Sequence, residues 1–200
     1  MRLFAVCCCL VATASLAFEH PTTPWNPRWY QAPRAGEPPV IDGRLDDAAW
    51  QTAPWTDPFV DIEGEARPVE PRYDTRAKMT WDDRAFYLAV DLRDPHVWGT
   101  LTERDAVIFE DNDIEVFLDP DGDHHAYGEL ELNALNTVWD LLLVRPYRDG
   151  GPAINGWTIT GLETAVHIDG TLNDPTDTDG GWTVEITLPW ASLRDIALDQ

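Results

Sequence analysis

Hydrophobic and polar residues alternate along several short segments of the chain, a pattern typical of β-strands with one buried face. These segments are rich in β-branched and aromatic residues, and Gly, Pro, Asp or Asn bound them. Turn-forming residues at Trp81–Arg84 and at Asp119–Asp123 predict two tight connections. The predicted strands are Asp74–Trp81, Ala85–Leu92, Asp113–Asp119, Ala126–Asn133, Thr137–Val144, Leu162–Ile168 and Trp182–Leu188.

Helical periodicity is limited to two short segments, Asp46–Ala53 and Pro189–Leu198. Several short strands with close turns are typical of an all-β domain. We therefore predict an antiparallel β-sandwich of the immunoglobulin-like or jelly-roll-like kind over residues 39–200. A sandwich needs strands that cover its edges, and no strand is predicted after Pro189, so we expect the domain to be truncated at its C-terminus.

The N-terminus carries the three parts of a secretion signal. Arg2 supplies the positive charge, Leu3–Ala14 is a short apolar run, and Ser15–Ala17 offers small residues for signal peptidase. We expect cleavage after Ala17, which makes residues 1–17 a signal peptide and the protein secreted or periplasmic. The apolar run is too short to span a membrane as a helix, so we expect no membrane span. It also holds all three cysteines, which leaves the mature chain without a thiol.

Residues 18–38 contain five prolines with aromatic residues between them. This composition predicts an extended segment, either a linker or an arm laid across the domain.

The charge of the chain excludes two classes of partner. The formal net charge is −22, and Lys78 is the only lysine. Nucleic acids and anionic membrane surfaces both require cationic patches, so neither is expected as a partner. Neutral ligands, cations and bound metal all remain compatible with such a charge.

A polar face is predicted on two strands. Glu129, Glu131 and Asn133 alternate with leucines, and pairing with the Asp113–Asp119 strand would place Glu115 on the same face as Glu131 and Asn133. Such a face offers carboxylates and an amide for sugar hydroxyls. The alternative is an ordinary solvated outer face of a sheet.

Two aromatic residues lie in an irregular segment between predicted strands, where ligand sites of sandwiches are often found. Trp98 and Phe109 could stack on a pyranose ring, because the apolar face of the sugar buries against an aromatic ring. Ordinary packing is the alternative for both. Five other tryptophans follow or end apolar patterns and are predicted to pack in the core or at its edge: Trp50, Trp55, Trp81, Trp182 and Trp190.

Clustered acids predict structural calcium. Asp119, Asp121 and Asp123 alternate around a glycine, and this spacing can point carboxylate oxygens inward in a turn. Asp94 and Asp111, with the nearby Asp113, form a second candidate group. The alternative for each group is a set of solvated turn acids.

From Pro39 onward, the chain resembles the family 9 carbohydrate-binding modules. The matching segments occur in order and read PVIDGRLDDAAW, KMTWDDRAFYLAVDLRDP, DNDIEVFLDPDGD, YGELELN and GGWTVEITLPWASL. The resemblance implies a β-sandwich that binds sugars, often at chain ends and between two aromatic rings, with structural calcium. It also implies an attachment to glycan-degrading enzymes or an occurrence alone in secreted proteins.

The resemblance assigns roles to single residues. Glu115 matches the carboxylate that hydrogen-bonds sugar hydroxyls, and Phe109 matches the first of the two stacking aromatics, which is a tryptophan in the sugar-binding members. The insertion between Asp94 and Asp111 departs from those members, and its Trp98 is expected to form one side of the sugar site in place of a family residue. The second stacking aromatic of the family belongs to segments that follow the matched region.

We therefore predict a secreted, non-catalytic carbohydrate-binding module that binds mono- or oligosaccharides and acts in glycan recognition or breakdown. A glycoside hydrolase would rest only on abundant carboxylates. A haem-binding exported redox domain of the related sandwich fold is a further alternative, although Lys78 and Met79 are adjacent on one strand and cannot both ligate one haem. A decayed sugar site in an interaction domain is the last alternative, because Phe109 is a smaller ring.

Overall fold

The computed structural model describes residues 28–61 and 73–197 of the chain. The fold described below is that of the unit that begins at Gln31. The predicted signal peptide, its cleavage point and residues 18–27 of the proline-rich segment lie outside the described residues. Among the described residues, no helix has both the length and the apolar character that a membrane span requires.

Eight strands in the described residues form two four-stranded antiparallel sheets. The strands are β1 Thr75–Trp81, β2 Ala85–Leu92, β3 Asp113–Leu118, β4 Tyr127–Asn133, β5 Val138–Leu143, β6 Ala153–Ile154, β7 Glu163–Asp169 and β8 Gly181–Pro189. The first sheet has the order β1-β2-β8-β7, and the second has the order β3-β4-β5-β6. The predicted all-β sandwich is confirmed.

The helices are short. Helix α1 covers Ala48–Thr52, and helix α2 covers Trp190–Leu193, inside the two segments with helical periodicity. Single 3-10 turns lie at Ile108–Glu110, Tyr147–Asp149 and Arg194–Ile196. All seven predicted strands are present with ends shifted by one residue at most, whereas β6 was not predicted because two exposed residues carry no alternation.

The core lies between the inner faces of the two sheets and follows the alternation of the strands. Leu88 and Val90 of β2 and Val184 of β8 face Leu130 and Leu132 of β4, and all are buried. Complete burial of one such side chain contributes about 1.5–3 kcal/mol of stability. The alternate residues of β4, including Glu129 and Glu131, must therefore point away from this core.

The outer face of the first sheet is covered by the segment that contains α1. Trp50 is fully buried there against Ala85, Tyr87 and Ala89 of β2. Lys78 is also buried at this place, and its ammonium donates a hydrogen bond to the carbonyl oxygen of Trp50. Lys78, which the haem alternative would use as an axial ligand, is therefore buried and hydrogen-bonded within the protein.

Glu185 of β8 fixes this covering segment. Its buried carboxylate accepts hydrogen bonds from the backbone N–H groups of Asp42 (2.9 Å) and Gly43 (2.7 Å) and from the indole N–H of Trp50 (2.6 Å). Gly43 has a φ of 86°, and a Cβ there would lie 2.6 Å from the carbonyl carbon of Val166. The turn therefore requires glycine.

Residues 32–35 lie along the free edge of β1. The backbone N–H of Ala35 donates to the Trp81 carbonyl oxygen at 2.8 Å, and the indole N–H of Trp81 donates to the carbonyl oxygen of Ala32 at 3.1 Å. This contact covers an edge that would otherwise present unpaired backbone groups.

Candidate functional site

The outer face of the second sheet carries the predicted polar residues. The register of β3 and β4 places Glu115 opposite Glu131 and Asp113 opposite Asn133. Ile114 on the alternate position faces the core, so the four polar residues share the opposite face. The structure thus brings together Glu115, Glu131 and Asn133, as the alternation predicts. We call this surface the β3–β5 face.

Glu131 is the most buried acid of the β3–β5 face, with 1% of its surface exposed. Its Oε2 accepts a hydrogen bond from the backbone N–H of Phe109 at 3.0 Å, and its Oε1 accepts none from the described residues. Burial, followed by the charges of Asp113 and Glu129, raises the pKa of Glu131 to about 7. Glu131 therefore belongs to the acidic group of this face and also holds the turn that carries Phe109.

Asp113 lies beside Glu131 in the same acidic environment. Burial, then the charges of Glu115 and Asp111, raises the pKa of Asp113 to about 7. Its Oδ2 is buried and has no hydrogen-bond partner among the described residues. Asp113, Glu115 and Glu131 each place one carboxylate oxygen within 4.8 Å of the others, which is close enough for one cation or one cationic group to contact all three.

The side-chain amide of Asn133 makes all of its hydrogen bonds within the protein. Its Nδ2 donates to the carbonyl oxygen of Leu101 and to Asp111 Oδ2, both at 2.9 Å. Its Oδ1 accepts from the backbone N–H groups of Leu135 (3.1 Å) and Thr137 (3.0 Å). An asparagine amide has two donors and two acceptor positions, so the predicted sugar contact is replaced by a supporting role.

Phe109 projects from the Ile108–Glu110 turn with 58% of its surface exposed. Its ring centroid lies 6.2 Å from that of Trp139, and the planes are tilted by 36°. Trp139 lies on β5 opposite Glu131, so the ring pair borders the carboxylates. Sequence reasoning missed Trp139, although pairing the predicted Thr137–Val144 strand with its neighbour would have placed it on this face.

Trp98 is not part of this ring pair. It is 43% exposed, and no aromatic contact in the described residues joins it to Phe109 or Trp139. The following Gly99 exchanges two hydrogen bonds with the side chain of Asn173, at 2.9 and 2.8 Å. The segment around Trp98 is thus held by the connection between β7 and β8.

The β3–β5 face continues beyond the predicted residues. The hydroxyl of Tyr147 donates a hydrogen bond to Glu129 Oε2 at 2.7 Å, and Tyr147 is 54% exposed. Burial raises the pKa of Glu129, and the charge of Glu115 adds to this effect, while the Tyr147 hydroxyl lowers it. Phe117 and Tyr127 form a second ring pair with a centroid separation of 6.3 Å.

The predicted calcium residues fall into two environments. Asp119, Asp121 and Asp123 place carboxylate oxygens within 4.8 Å of one another, so their spacing fits one calcium ion. Each also accepts at least one backbone hydrogen bond within its own turn, for example Gly122 N–H to Asp119 Oδ1 at 3.1 Å. This turn is therefore also stabilised by its own hydrogen bonds.

Asp94 and Asp111 do not join either of the two acidic clusters that the described residues form. Burial acts to raise the pKa of Asp111, but hydrogen bonds from the backbone of Leu101 and from Thr100 and Asn133 outweigh it and lower the pKa. Asp94 accepts from the backbone N–H of His96 at 3.0 Å. The structure gives both acids a role in fixing the loop that precedes β3.

Two clefts, of about 440 Å³ and about 510 Å³, lie along the first sheet. The first is lined by residues that include Arg44, His167 and Trp182, and the second by residues that include Tyr87 and Glu163. Neither cleft contains a predicted site residue. The β3–β5 face, in contrast, is an open surface that combines exposed rings with carboxylates.

A family model described as carbohydrate family 9 binding domain-like matches residues 41–200 of this chain. The exoglucanase XynX of Acetivibrio thermocellus is 25% identical over 155 residues, which are 78% of this chain and 12% of that protein. The chain therefore spans a small part of the length of this curated relative.

Solved structures show the same fold. A family 9 carbohydrate-binding module from Caldicellulosiruptor kristjanssonii in complex with cellotriose is 19% identical, with a TM-score of 0.51 over 79% of this chain and 66% of that one. The glucose complex of such a module is 18% identical, with a TM-score of 0.53 over 80% and 68%. A structure described as a putative carbohydrate-binding protein from Bacteroides uniformis is 14% identical, with a TM-score of 0.53 over 72% and 64%.

Proposed function

Since the chain belongs to the carbohydrate family 9 binding domain-like family, we propose that it is a non-catalytic module that binds mono- or oligosaccharides on the β3–β5 face. The observation that carries this proposal is the exposed ring of Phe109 beside Trp139, at the border of the Glu115 and Glu131 carboxylates. Rings and acceptors at one surface are the two kinds of group that a pyranose needs.

Each residue of the face receives one role in this proposal. Phe109 and Trp139 stack on the apolar face of the sugar ring, and Glu115 accepts hydrogen bonds from sugar hydroxyls because it is exposed. Glu131 holds the backbone of Phe109 through Oε2 and offers Oε1 to the ligand. Asn133 supports the loop below them, and no ligand contact is assigned to Trp98.

We also propose that the protein is secreted or periplasmic, with a signal peptide at residues 1–17 and an arm or linker at residues 18–38. The support is the sequence pattern of Arg2, Leu3–Ala14 and Ser15–Ala17. If calcium binds, Asp119, Asp121 and Asp123 would hold it and fix the connection between β3 and β4, with no chemical step assigned to it.

Isothermal titration with glucose and cellotriose, with calcium present, tests the sugar-binding proposal. We expect measurable heat of binding, and we expect Phe109→Ala and Glu115→Ala each to weaken binding about tenfold or more. Phe59→Ala is the matched control, since Phe59 is 42% exposed and precedes β1 on the first sheet. Flat traces from a folded sample, or an equal loss in Phe59→Ala, would contradict the proposal.

A further inference from the structure

We propose that the β3–β5 face selects amino sugars with a free amine, so that its ligand is a glycan with unacetylated, positively charged residues. This inference rests on the proposed function and narrows it from sugars in general to one charge class of sugars. Three observations carry it: the spacing of the carboxylates, the buried Asp113 oxygen without a partner, and the rings at their border.

The spacing of the carboxylates suits one ammonium group. Asp113, Glu115 and Glu131 each have one oxygen within 4.8 Å of the others. An ammonium carries three N–H donors and no acceptor, so it can donate one hydrogen bond to each of three carboxylates. A sugar hydroxyl has a single proton to donate and can satisfy only one of them.

One buried acceptor at this place lacks a donor among the described residues, and a carboxylate oxygen of a neighbouring acid is also unpaired there. Glu131 is 1% exposed, and its Oε1 accepts no hydrogen bond from the described residues. Asp113 Oδ2 is buried and is likewise without a partner in the described chain. Buried polar atoms in proteins are nearly always paired, so the unpaired Asp113 Oδ2 points to a donor supplied by a ligand.

The charge of these acids is not balanced by the protein. None of the ion pairs in the described residues involves Asp113, Glu115, Glu129 or Glu131. Facing like charges destabilise one another, and a neutral sugar would leave this repulsion in place. An ammonium supplies donors and opposite charge together, in charge-assisted hydrogen bonds.

The rings favour an amine on a sugar over a bare metal ion. Phe109 and Trp139 border the carboxylates, and aromatic rings do not ligate calcium. They do attract a cation that passes over their faces, and they stack on a pyranose. The indole Nε1 of Trp139 is buried and has no hydrogen-bond partner among the described residues.

Three trisaccharides test the inference by isothermal titration at about pH 7 with EDTA present: β-1,4-linked glucosamine, its fully N-acetylated form, and cellotriose. The N-acetylated form keeps the sugar chain, removes the charge and replaces each ammonium by a bulkier amide, while cellotriose lacks both the charge and the amide. We expect the free amine trimer to bind at least about tenfold more tightly than both others, and its affinity to fall as salt is raised.

The outcomes separate this inference from the proposed function. Equal affinity for cellotriose and the amine trimer would overturn the amine selectivity and leave sugar binding intact. No heat from any of the three sugars would overturn both. Binding of the amine trimer that appears only when calcium replaces EDTA would show that a divalent cation occupies the carboxylates, which also overturns the inference.

A matched pair of variants distinguishes local recognition from the attraction of a cation to an acidic protein. Glu115→Gln and Glu163→Gln remove the same charge from exposed strand residues, the first on the β3–β5 face and the second on the other sheet. We expect Glu115→Gln to lose about tenfold in affinity for the amine trimer, and Glu163→Gln to bind as the unchanged protein does. Equal losses in the two variants would overturn the inference.

Discussion

At the scale of single residues, Glu131 links the acids of the β3–β5 face to the exposed ring of Phe109. Its side chain is almost completely buried, yet its neighbours across the sheet and along the strand are acids. The hydrogen bond to the backbone of Phe109 is the direct link between this acid and the exposed ring. Glu131 is therefore both a positioning group for the ring and a source of negative charge.

The raised pKa of Glu131 predicts a particular pH dependence of stability. Its pKa is raised from 4.5 to about 7, so between these values the folded state binds more protons than the unfolded state. Stability must then fall as the pH rises through this window. Asp113, with a pKa also raised to about 7, and Glu129, with a raised pKa, contribute with the same sign.

Thermal melts between about pH 5 and about pH 8 check this prediction. We expect the melting temperature of the unchanged protein to fall with rising pH, and to fall less steeply in Glu131→Gln, which cannot titrate. The amide can still accept the Phe109 hydrogen bond, so the variant should fold. Identical slopes in both proteins would contradict the assigned pKa.

At the scale of elements, the alternation of residues predicts which face each strand presents. Apolar and acidic residues alternate along the whole length of β3 and β4, so they lie on opposite faces of the sheet. The sequence therefore predicts that Glu115 and Glu131 share one face. The hydrogen bond from Phe109 to Glu131 joins residues 22 positions apart and depends on loop geometry, which alternation does not encode. To predict that Trp139 lies beside Glu131, one must also know the register of β4 and β5.

The ring pair predicts a loss of sugar binding in variants of Trp139. Since Trp139 comes from β5 and Phe109 from a separate turn, each ring borders the carboxylates independently. We expect Trp139→Ala to weaken sugar binding about tenfold, in line with the loss of one stacking aromatic. Titration calorimetry measures the effect, and unchanged affinity in a folded variant would remove Trp139 from the site.

The Asp42–Gly43 turn predicts a large difference between two glycine variants. Gly43 has a φ of 86° and no room for a Cβ beside Val166, whereas Gly36 has no atom within 4 Å of a Cβ. We expect Gly43→Ala to cost about 2 kcal/mol or more. We expect Gly36→Ala to change stability by about 0.5 kcal/mol at most. Urea unfolding measures both, and equal effects would contradict the strain assigned to the turn.

At the scale of the whole fold, the two sheets differ in what covers them. The first sheet carries α1 and the Asp42–Gly43 turn on its outer face, held by Glu185. The outer face of the second sheet keeps exposed rings, including Phe109 and Phe117. This asymmetry supports the proposal that the ligand binds on the second sheet. The sequence predicts the asymmetry only in part, because the covering role of α1 depends on contacts between residues far apart in the chain.

The acidic turn between β3 and β4 predicts an effect of calcium on the stability of the whole domain. An ion that binds Asp119, Asp121 and Asp123 only in the folded state must raise the melting temperature by mass action. We expect added calcium to raise it, EDTA to reverse the change, and Asp121→Asn to remove most of it. A melting temperature independent of calcium would show that the turn relies on its own hydrogen bonds.

The most direct test of the central claim is the indole N–H region of a two-dimensional ¹H–¹⁵N NMR titration with glucose, cellotriose and the glucosamine trimer. We expect the Trp139 resonance to shift with at least one of these sugars. The Trp50 resonance should stay fixed, since this indole is buried and bonded to Glu185. No shift of Trp139 with any sugar, or a shift confined to Trp98, would contradict the assignment of the ligand to the β3–β5 face.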